Sequence, residues 1–159
     1  MIEGFLENES GSLSLIAVCL FLSAFFSSAE TAITSLGVLK VKHLIEQKGK
    51  SVSHLRLWIS YPGRIITTIL LFNNVVNLLA SSVATHVTYK YFEDAAIGIA
   101  TGVITFLVLV FGEIIPKSFA KSHAQPLAIW SMRIVILDYY VSYPIVRVLS
   151  GFAEWLILK

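Results

Sequence analysis

Three long stretches without Asp, Glu, Lys or Arg constrain the fold of this chain more than any other feature. They cover residues 10–29, 65–89 and 95–112, which are 20, 25 and 18 residues long. A helix needs about 20 apolar residues to cross the hydrocarbon core of a bilayer. The third stretch is the shortest, so its helix has to continue a few residues beyond Gly112. We therefore predict an all-α integral membrane protein with three transmembrane helices.

The composition agrees with burial in lipid. Hydrophobic residues make up 56% of the 159 residues and charged residues 14%, whereas a soluble domain carries about 25% charged residues. This balance excludes an ordinary soluble enzyme. A net charge of +2 gives no reason to expect a nucleic-acid partner. Cys19 is the one cysteine, so the sequence has no intrachain disulfide and no thiolate metal cluster.

The charges that flank the stretches predict the orientation. The loop 33–64 holds six Lys or Arg residues and one acid, while the N-terminal tail holds Glu3, Glu7 and Glu9 and no base. Lys117 and Lys121 follow the third stretch. By the positive-inside rule, the N-terminus faces outward and the C-terminus is cytoplasmic in a cell (inner) membrane. The acidic tail also argues against a cleaved signal peptide, which would need a positive start.

The part that follows the spans is apolar but interrupted. Residues 125–159 contain four charged side chains ahead of the terminal lysine, and Pro144 breaks the pattern. We predict amphipathic helices on the cytoplasmic membrane surface here, with a fourth span as the alternative. The segment 36–57 is also amphipathic, and Gly49 is expected to end its helix. The domain organisation is then a three-span membrane core, 1–124, including the basic loop, followed by interfacial helices, 125–159.

Two of the predicted spans carry pairs of polar side chains at helical spacing. Ser23 and Ser27 are four residues apart in the first span, and Asn73 and Asn77 are four apart in the second. Each pair therefore shares one helix face. Such residues commonly hold membrane helices together by hydrogen bonds, but polar groups at membrane depth also mark ion pathways.

The third span ends in the sequence FGEIIPK. Pro116 has no N–H and cannot donate to the carbonyl of Gly112 four residues earlier, so that carbonyl loses its helical partner. Glu113 adds a carboxylate beside it. With antiparallel spans, the three polar clusters come to similar depth. Oxygen ligands without a Cys or His pair favour Mg²⁺, Ca²⁺ or Na⁺ over zinc or copper. The residues alone leave a cation site and simple helix packing both open.

These segments resemble a known family. The runs FFSSAETAITS, NNVVN and FGEIIPKSFAK, with the basic loop between the first two, are similar to the DUF21 transmembrane domain of the CorC and cyclin M (CNNM) magnesium transporters. The resemblance implies three membrane helices with helices at the cytoplasmic surface, and a homodimer. It implies export of Mg²⁺ coupled to inward Na⁺ movement. It also implies a cytoplasmic CBS-domain pair in full-length relatives, which we expect to be absent from this chain.

The resemblance also implies a set of metal ligands. Carried over to matching positions, these are Ser23, Ser27, Asn73, Asn77, Gly112 and Glu113, with the neighbouring Ser28 and Asn74 as additional candidates and Pro116 as a structural helix break. Glu30 is expected to cap or orient a neighbour, and Lys117 to act as a counter-charge or to reach the interface.

Two other functions are weighed against a transporter. One is a membrane-embedded Mg²⁺ sensor or scaffold that binds the ion through the same oxygens without moving it. The other is an integral-membrane enzyme. The sequence contains no HExxH motif and no set of nucleophile, histidine and acid. We therefore expect no enzymatic activity.

Overall fold

The described part of the chain is helical. The computed structural model describes residues 9–91 and 94–157, which contain helices and turns and no strand. In chain order the elements are α1 (Glu9–Lys48), a 3₁₀ segment (Gly49–Leu55), α2 (Arg56–Ser60), α3 (Pro62–Tyr91), α4 (Asp94–Leu107), a π segment (Val108–Ile114), α5 (Ile115–Ser122), α6 (Ala124–Val141) and α7 (Tyr143–Ile157). The predicted all-α class is confirmed. Glu3 and Glu7, whose charges entered the orientation prediction, lie outside the described residues.

Three helical stretches of the described chain are long and apolar enough to cross a membrane. They are Gly11–Ser60, Pro62–Tyr89 and Thr101–Ser122, which confirms the predicted number of spans. The third runs through the π segment and past Pro116, so it continues ten residues beyond Gly112. Its outer surface is apolar, as lipid requires: the side chains of Phe106, Phe111 and Phe119 are at least half exposed.

The helix α1 changes direction at Gly37. This glycine has φ 66° and ψ 164°, which are outside the helical range. Residues other than glycine rarely adopt these backbone angles. The break separates the apolar span from the basic, amphipathic part of α1. That second part ends at Lys48, directly before Gly49 with φ 56°, as predicted. The break at Gly37 was not predicted.

The first span forms the centre of the bundle. Phe26, Ala29 and Ile33 of α1 are buried in one core with Ile69 of α3 and Met132 of α6. The rings of Phe26 and Phe72 stack with centroids 5.6 Å apart. Because α1 packs against α3, the π segment, α5 and α6, polar groups on these elements can face one another.

The last two helices form a bent pair. The stretches Ala124–Val141 and Tyr143–Phe152 meet at 88°, and they satisfy the length and hydropathy of a span only when joined as one broken span. A hydrogen bond of 2.8 Å between His54 Nε2 and the Ile129 carbonyl ties α6 to the 3₁₀ segment. The turn at His123 lies next to the predicted boundary between the membrane core and residues 125–159.

Candidate cation site

The first and third spans touch at Ser23 and Gly112. The Ser23 hydroxyl donates a hydrogen bond of 3.3 Å to the Gly112 carbonyl, and Ser23 is fully buried. A Cβ added at Gly112 would lie 2.9 Å from Ser23 Oγ, so a residue with a side chain does not fit without a shift. Gly112 is therefore required by the close approach of these two helices.

The backbone around Gly112 is a π helix. Residues Val108–Ile114 have this wider winding, and the Ile115 N–H donates to the Val110 carbonyl five residues earlier. The winding precedes Pro116, which cannot supply an N–H to the Gly112 carbonyl. The Gly112 carbonyl accepts a hydrogen bond from the Ser23 hydroxyl of the neighbouring span. π segments within membrane helices are often found at functional sites.

The second and third spans are joined by Asn77 and Glu113. Asn77 Nδ2 donates a hydrogen bond of 2.9 Å to Glu113 Oε1. An ionised carboxylate only accepts hydrogen bonds, so it fixes the Asn77 amide with its nitrogen toward Glu113. The amide oxygen of Asn77 must then point elsewhere.

Three of the predicted ligand oxygens are buried without a hydrogen-bond partner among the described residues. They are Ser27 Oγ, Asn73 Oδ1 and Asn77 Oδ1. A buried polar atom without a partner costs about 1–3 kcal/mol, so each such atom calls for an explanation. All three are oxygens with free lone pairs, which is what a cation binds.

Ser28 and Asn74 have different surroundings. The Ser28 hydroxyl donates to the Pro116 carbonyl at 3.4 Å, and Ser28 lines an apolar cavity with side chains of α1, α5 and α6. Asn74 is exposed and lines a groove with Leu70, Val75 and Leu78. Among the six main candidates, the structure joins Ser23 to Gly112 and Asn77 to Glu113, and it buries Ser27 and Asn73 on the same helices as Ser23 and Asn77.

Glu30 and Lys117 form an ion pair that the sequence analysis did not identify as a pair. Lys117 Nζ is 3.4 Å from Glu30 Oε2. The pair joins α1 to α5 just past Pro116, and both side chains are partly exposed. Lys117 therefore pairs with Glu30. Glu113 is the one acid among the six predicted ligands. The acid and the base lie in the segments SSAET and IIPK, but the sequence alone does not show that these two segments are adjacent in the fold.

The predicted ligands carry oxygen groups of the kind that a hard cation prefers. Among the described residues, no three His, Cys, Asp or Glu side chains come together as a metal site. Two hydroxyls, two amide oxygens, one carbonyl and one carboxylate supply six oxygen-bearing groups, and a dehydrated Mg²⁺ takes about six oxygens near 2.1 Å. Ser23, Ser27 and Asn73 are all buried, so the set also excludes bulk water from much of its surface.

Comparison with known proteins gives one consistent family. The profile of the cyclin M transmembrane N-terminal domain matches residues 14–159. The chain is 36% identical to a UPF0053 protein of Haemophilus influenzae over 140 residues, covering 88% of this chain and 33% of that protein. It is 34% identical to the UPF0053 inner membrane protein YfjD of Escherichia coli over 135 residues, 85% of this chain and 32% of the relative.

A plant relative extends the comparison. A chloroplastic DUF21 domain-containing protein of Arabidopsis thaliana is 40% identical over 136 residues, which is 86% of this chain and 21% of that protein. The chain thus spans about a third of the two bacterial relatives and about a fifth of the plant one. These longer relatives contain sequence beyond the membrane domain.

Proposed function

This chain belongs to the cyclin M transmembrane domain family, and from that premise we propose that it is the membrane domain of a Mg²⁺ transporter. Mg²⁺ binds largely dehydrated between the three transmembrane helices. The transporter exports Mg²⁺ and couples this to inward movement of Na⁺. No catalytic chemistry is part of the proposal.

The observation that carries this proposal is the set of buried oxygens that have no hydrogen-bond partner in the described part of the chain. Ser27 Oγ, Asn73 Oδ1 and Asn77 Oδ1 lie on helices that meet beside Gly112 and Glu113. If these residues only held the helices together, their oxygens would accept hydrogen bonds from the neighbouring helix. A cation satisfies several such oxygens at once, which supports ion binding over simple packing.

Glu113 and Asn77 have complementary roles in this proposal. Glu113 supplies the negative charge that offsets part of the cost of removing water from a divalent cation. Its hydrogen bond to Asn77 Nδ2 turns the Asn77 oxygen away from the carboxylate and leaves it free to bind Mg²⁺. Ser23 holds the Gly112 carbonyl in place at the π segment, so that a second lone pair of this carbonyl can face the ion.

Transport requires the site to open to one side at a time. Three helices are too few to enclose a path and gate it at both ends, so we propose a homodimer in the cell (inner) membrane, with the N-terminus outside and the C-terminus cytoplasmic. In the longer relatives, we propose that a cytoplasmic CBS-domain pair follows the membrane domain.

Ion flux through the purified chain tests the proposal. The protein is reconstituted in liposomes, and Mg²⁺ movement is recorded with and without an opposing Na⁺ gradient. We expect flux that depends on Na⁺ in the wild type and is lost in Asn77→Ala. A folded protein that binds Mg²⁺ but produces no flux would contradict transport and support the alternative of a Mg²⁺ sensor or scaffold.

A further inference from the structure

Two adjoining cavities lie on the basic side of the bundle, apart from the cation site. The first has a volume of about 350 Å³ and is lined by Lys48, Gln125, Arg133 and the side chains between them on α6. The second has about 200 Å³ and is lined mainly by apolar side chains of α1, α5 and α6. Trp130 lines both cavities.

The first cavity has the chemistry of an anion site. Lys48 comes from the end of α1 and Arg133 from α6, so two separate elements place cations around one space. None of its lining residues is acidic, and neither cation forms an ion pair within the described ranges 9–91 and 94–157. Both side chains are exposed, so water screens their mutual repulsion, and an anion between them is attracted by both charges. Gln125 adds an amide that can donate a hydrogen bond.

The second cavity has the chemistry of an acyl-chain site with one polar contact. Phe25, Phe119, Leu127 and Trp130 form most of its wall, and the rings of Phe25 and Trp130 meet edge to face at 5.5 Å. Ser131 also lines this cavity and is 2% exposed. Its hydroxyl is buried and has no partner among the described residues, so it can donate to an oxygen of a bound molecule.

From this arrangement we propose that the two cavities bind one anionic phospholipid. The phosphate lies between Lys48 and Arg133, an ester oxygen accepts from Ser131, and an acyl chain lies along Phe25 and Trp130. A free phosphate would explain the two cations but not the apolar cavity. A neutral lipid would fill the apolar cavity but leave the cations unpaired. Basic pockets between membrane helices are general binding sites for anionic headgroups.

Native mass spectrometry of the 159-residue protein in detergent tests this proposal. Phosphatidylglycerol and phosphatidylcholine with the same acyl chains are added, and bound lipid is counted. We expect the wild type to bind phosphatidylglycerol more tightly. A charge near the membrane surface contributes about fivefold, so Lys48→Gln with Arg133→Gln should weaken binding about 25-fold. Unchanged binding in this double variant would overturn the proposal.

A matched control removes the same charge elsewhere. Lys42 and Lys50 are exposed and line neither cavity, so Lys42→Gln with Lys50→Gln should keep the preference for phosphatidylglycerol. Equal losses in both double variants would show a diffuse effect of charge and contradict a built site. Circular dichroism and the elution volume show whether each variant is folded.

Two further measurements test the lipid assignment itself. Ala24→Phe fills the apolar cavity without changing charge, and we expect it to weaken phosphatidylglycerol binding. Unchanged binding would remove the acyl chain from the cavity. Displacement of the lipid by equal concentrations of glycerol phosphate, or by an octaglutamate peptide, would assign the cations to a free phosphate or to an acidic protein segment instead.

Discussion

At the scale of single residues, the hydrogen bond between Asn77 and Glu113 decides what the candidate site can bind. The Glu113 carboxylate accepts a hydrogen bond of 2.9 Å from the amide nitrogen of Asn77. The Asn77 amide therefore presents its oxygen, not its nitrogen, to the remaining buried space. Asn73, one turn earlier on the same face, also has a buried oxygen without a partner in the described chain. Oxygens oriented in this way attract a cation and repel an anion.

The charge of Glu113 is the residue-level feature that can be tested most simply. Glu113→Gln keeps the size of the side chain but removes the negative charge, so we expect Mg²⁺ affinity to fall by at least about tenfold. Isothermal titration of the purified protein measures this affinity.

Glu30→Gln is the matched control. Glu30 is paired with Lys117, and both are partly exposed, so the pair contributes no more than about 1 kcal/mol and lies outside the ligand set. Mg²⁺ affinity should stay within about twofold of the wild type. If the two variants lose affinity equally, Glu113 has no special role.

At the scale of helices, the contact between α1 and the π segment sets the geometry. Gly112 fits because it has no side chain, and its carbonyl accepts from Ser23. Pro116 lies in the first turn of α5, directly after the π segment, and the span continues to Ser122. In a regular α-helix, the carbonyls of the π segment would lie in different positions and would accept hydrogen bonds from backbone N–H groups four residues later, except at Gly112, since Pro116 has no N–H.

Gly112→Ala tests this contact. Its Cβ would lie 2.9 Å from Ser23 Oγ and 3.3 Å from Ser23 Cβ. Overpacking of this kind costs about 1–3 kcal/mol, so we expect a lower thermal unfolding midpoint in detergent and weaker Mg²⁺ binding. Gly102→Ala on the same span meets nothing within 4 Å and should leave both values unchanged. Identical behaviour of the two variants would show that the close approach is unimportant.

The sequence predicts elements better than it predicts their contacts. The three uncharged stretches and the helix end at Gly49 follow from local chemistry, and the structure contains both features. The break at Gly37 was missed because an isolated glycine within a helical pattern is tolerated and does not by itself indicate a break. The π segment was missed because proline predicts lost hydrogen bonds but not the winding that replaces them.

The candidate site shows the same division. A spacing of four residues predicts that Ser23 and Ser27 share one helix face, and that Asn73 and Asn77 share another. In the structure each pair lies about one turn apart on one helix. The direction of the Asn77 amide depends on Glu113 from another helix, and no local pattern contains that information. The pairing of Glu30 with Lys117 likewise depends on how two distant segments pack.

At the scale of the whole molecule, the charge distribution predicts the orientation in the membrane. The loop that carries Lys50 is basic and is expected in the cytoplasm, and Tyr89 lies at the opposite end of the second span. Cys19 is only 3% exposed, so it adds little background to thiol labelling.

Cysteines introduced at these two positions test the orientation. With a membrane-impermeant maleimide, we expect Tyr89→Cys to be labelled in intact cells and Lys50→Cys only in inverted membrane vesicles. The opposite pattern would reverse the orientation and contradict the proposed direction of transport.

We propose that Mg²⁺ binds where Asn77, Glu113 and their buried neighbours meet. Equilibrium Mg²⁺ binding to Asn77→Ala and Asn74→Ala tests this site, because the same side chain is removed from two faces of one helix. Asn74 is exposed and lines a separate groove. Loss of an oxygen that contacts a charge costs about 1.5–3 kcal/mol, so Asn77→Ala should weaken binding about 10- to 100-fold, while Asn74→Ala binds Mg²⁺ as the wild type does. Wild-type affinity in a folded Asn77→Ala protein would contradict the site.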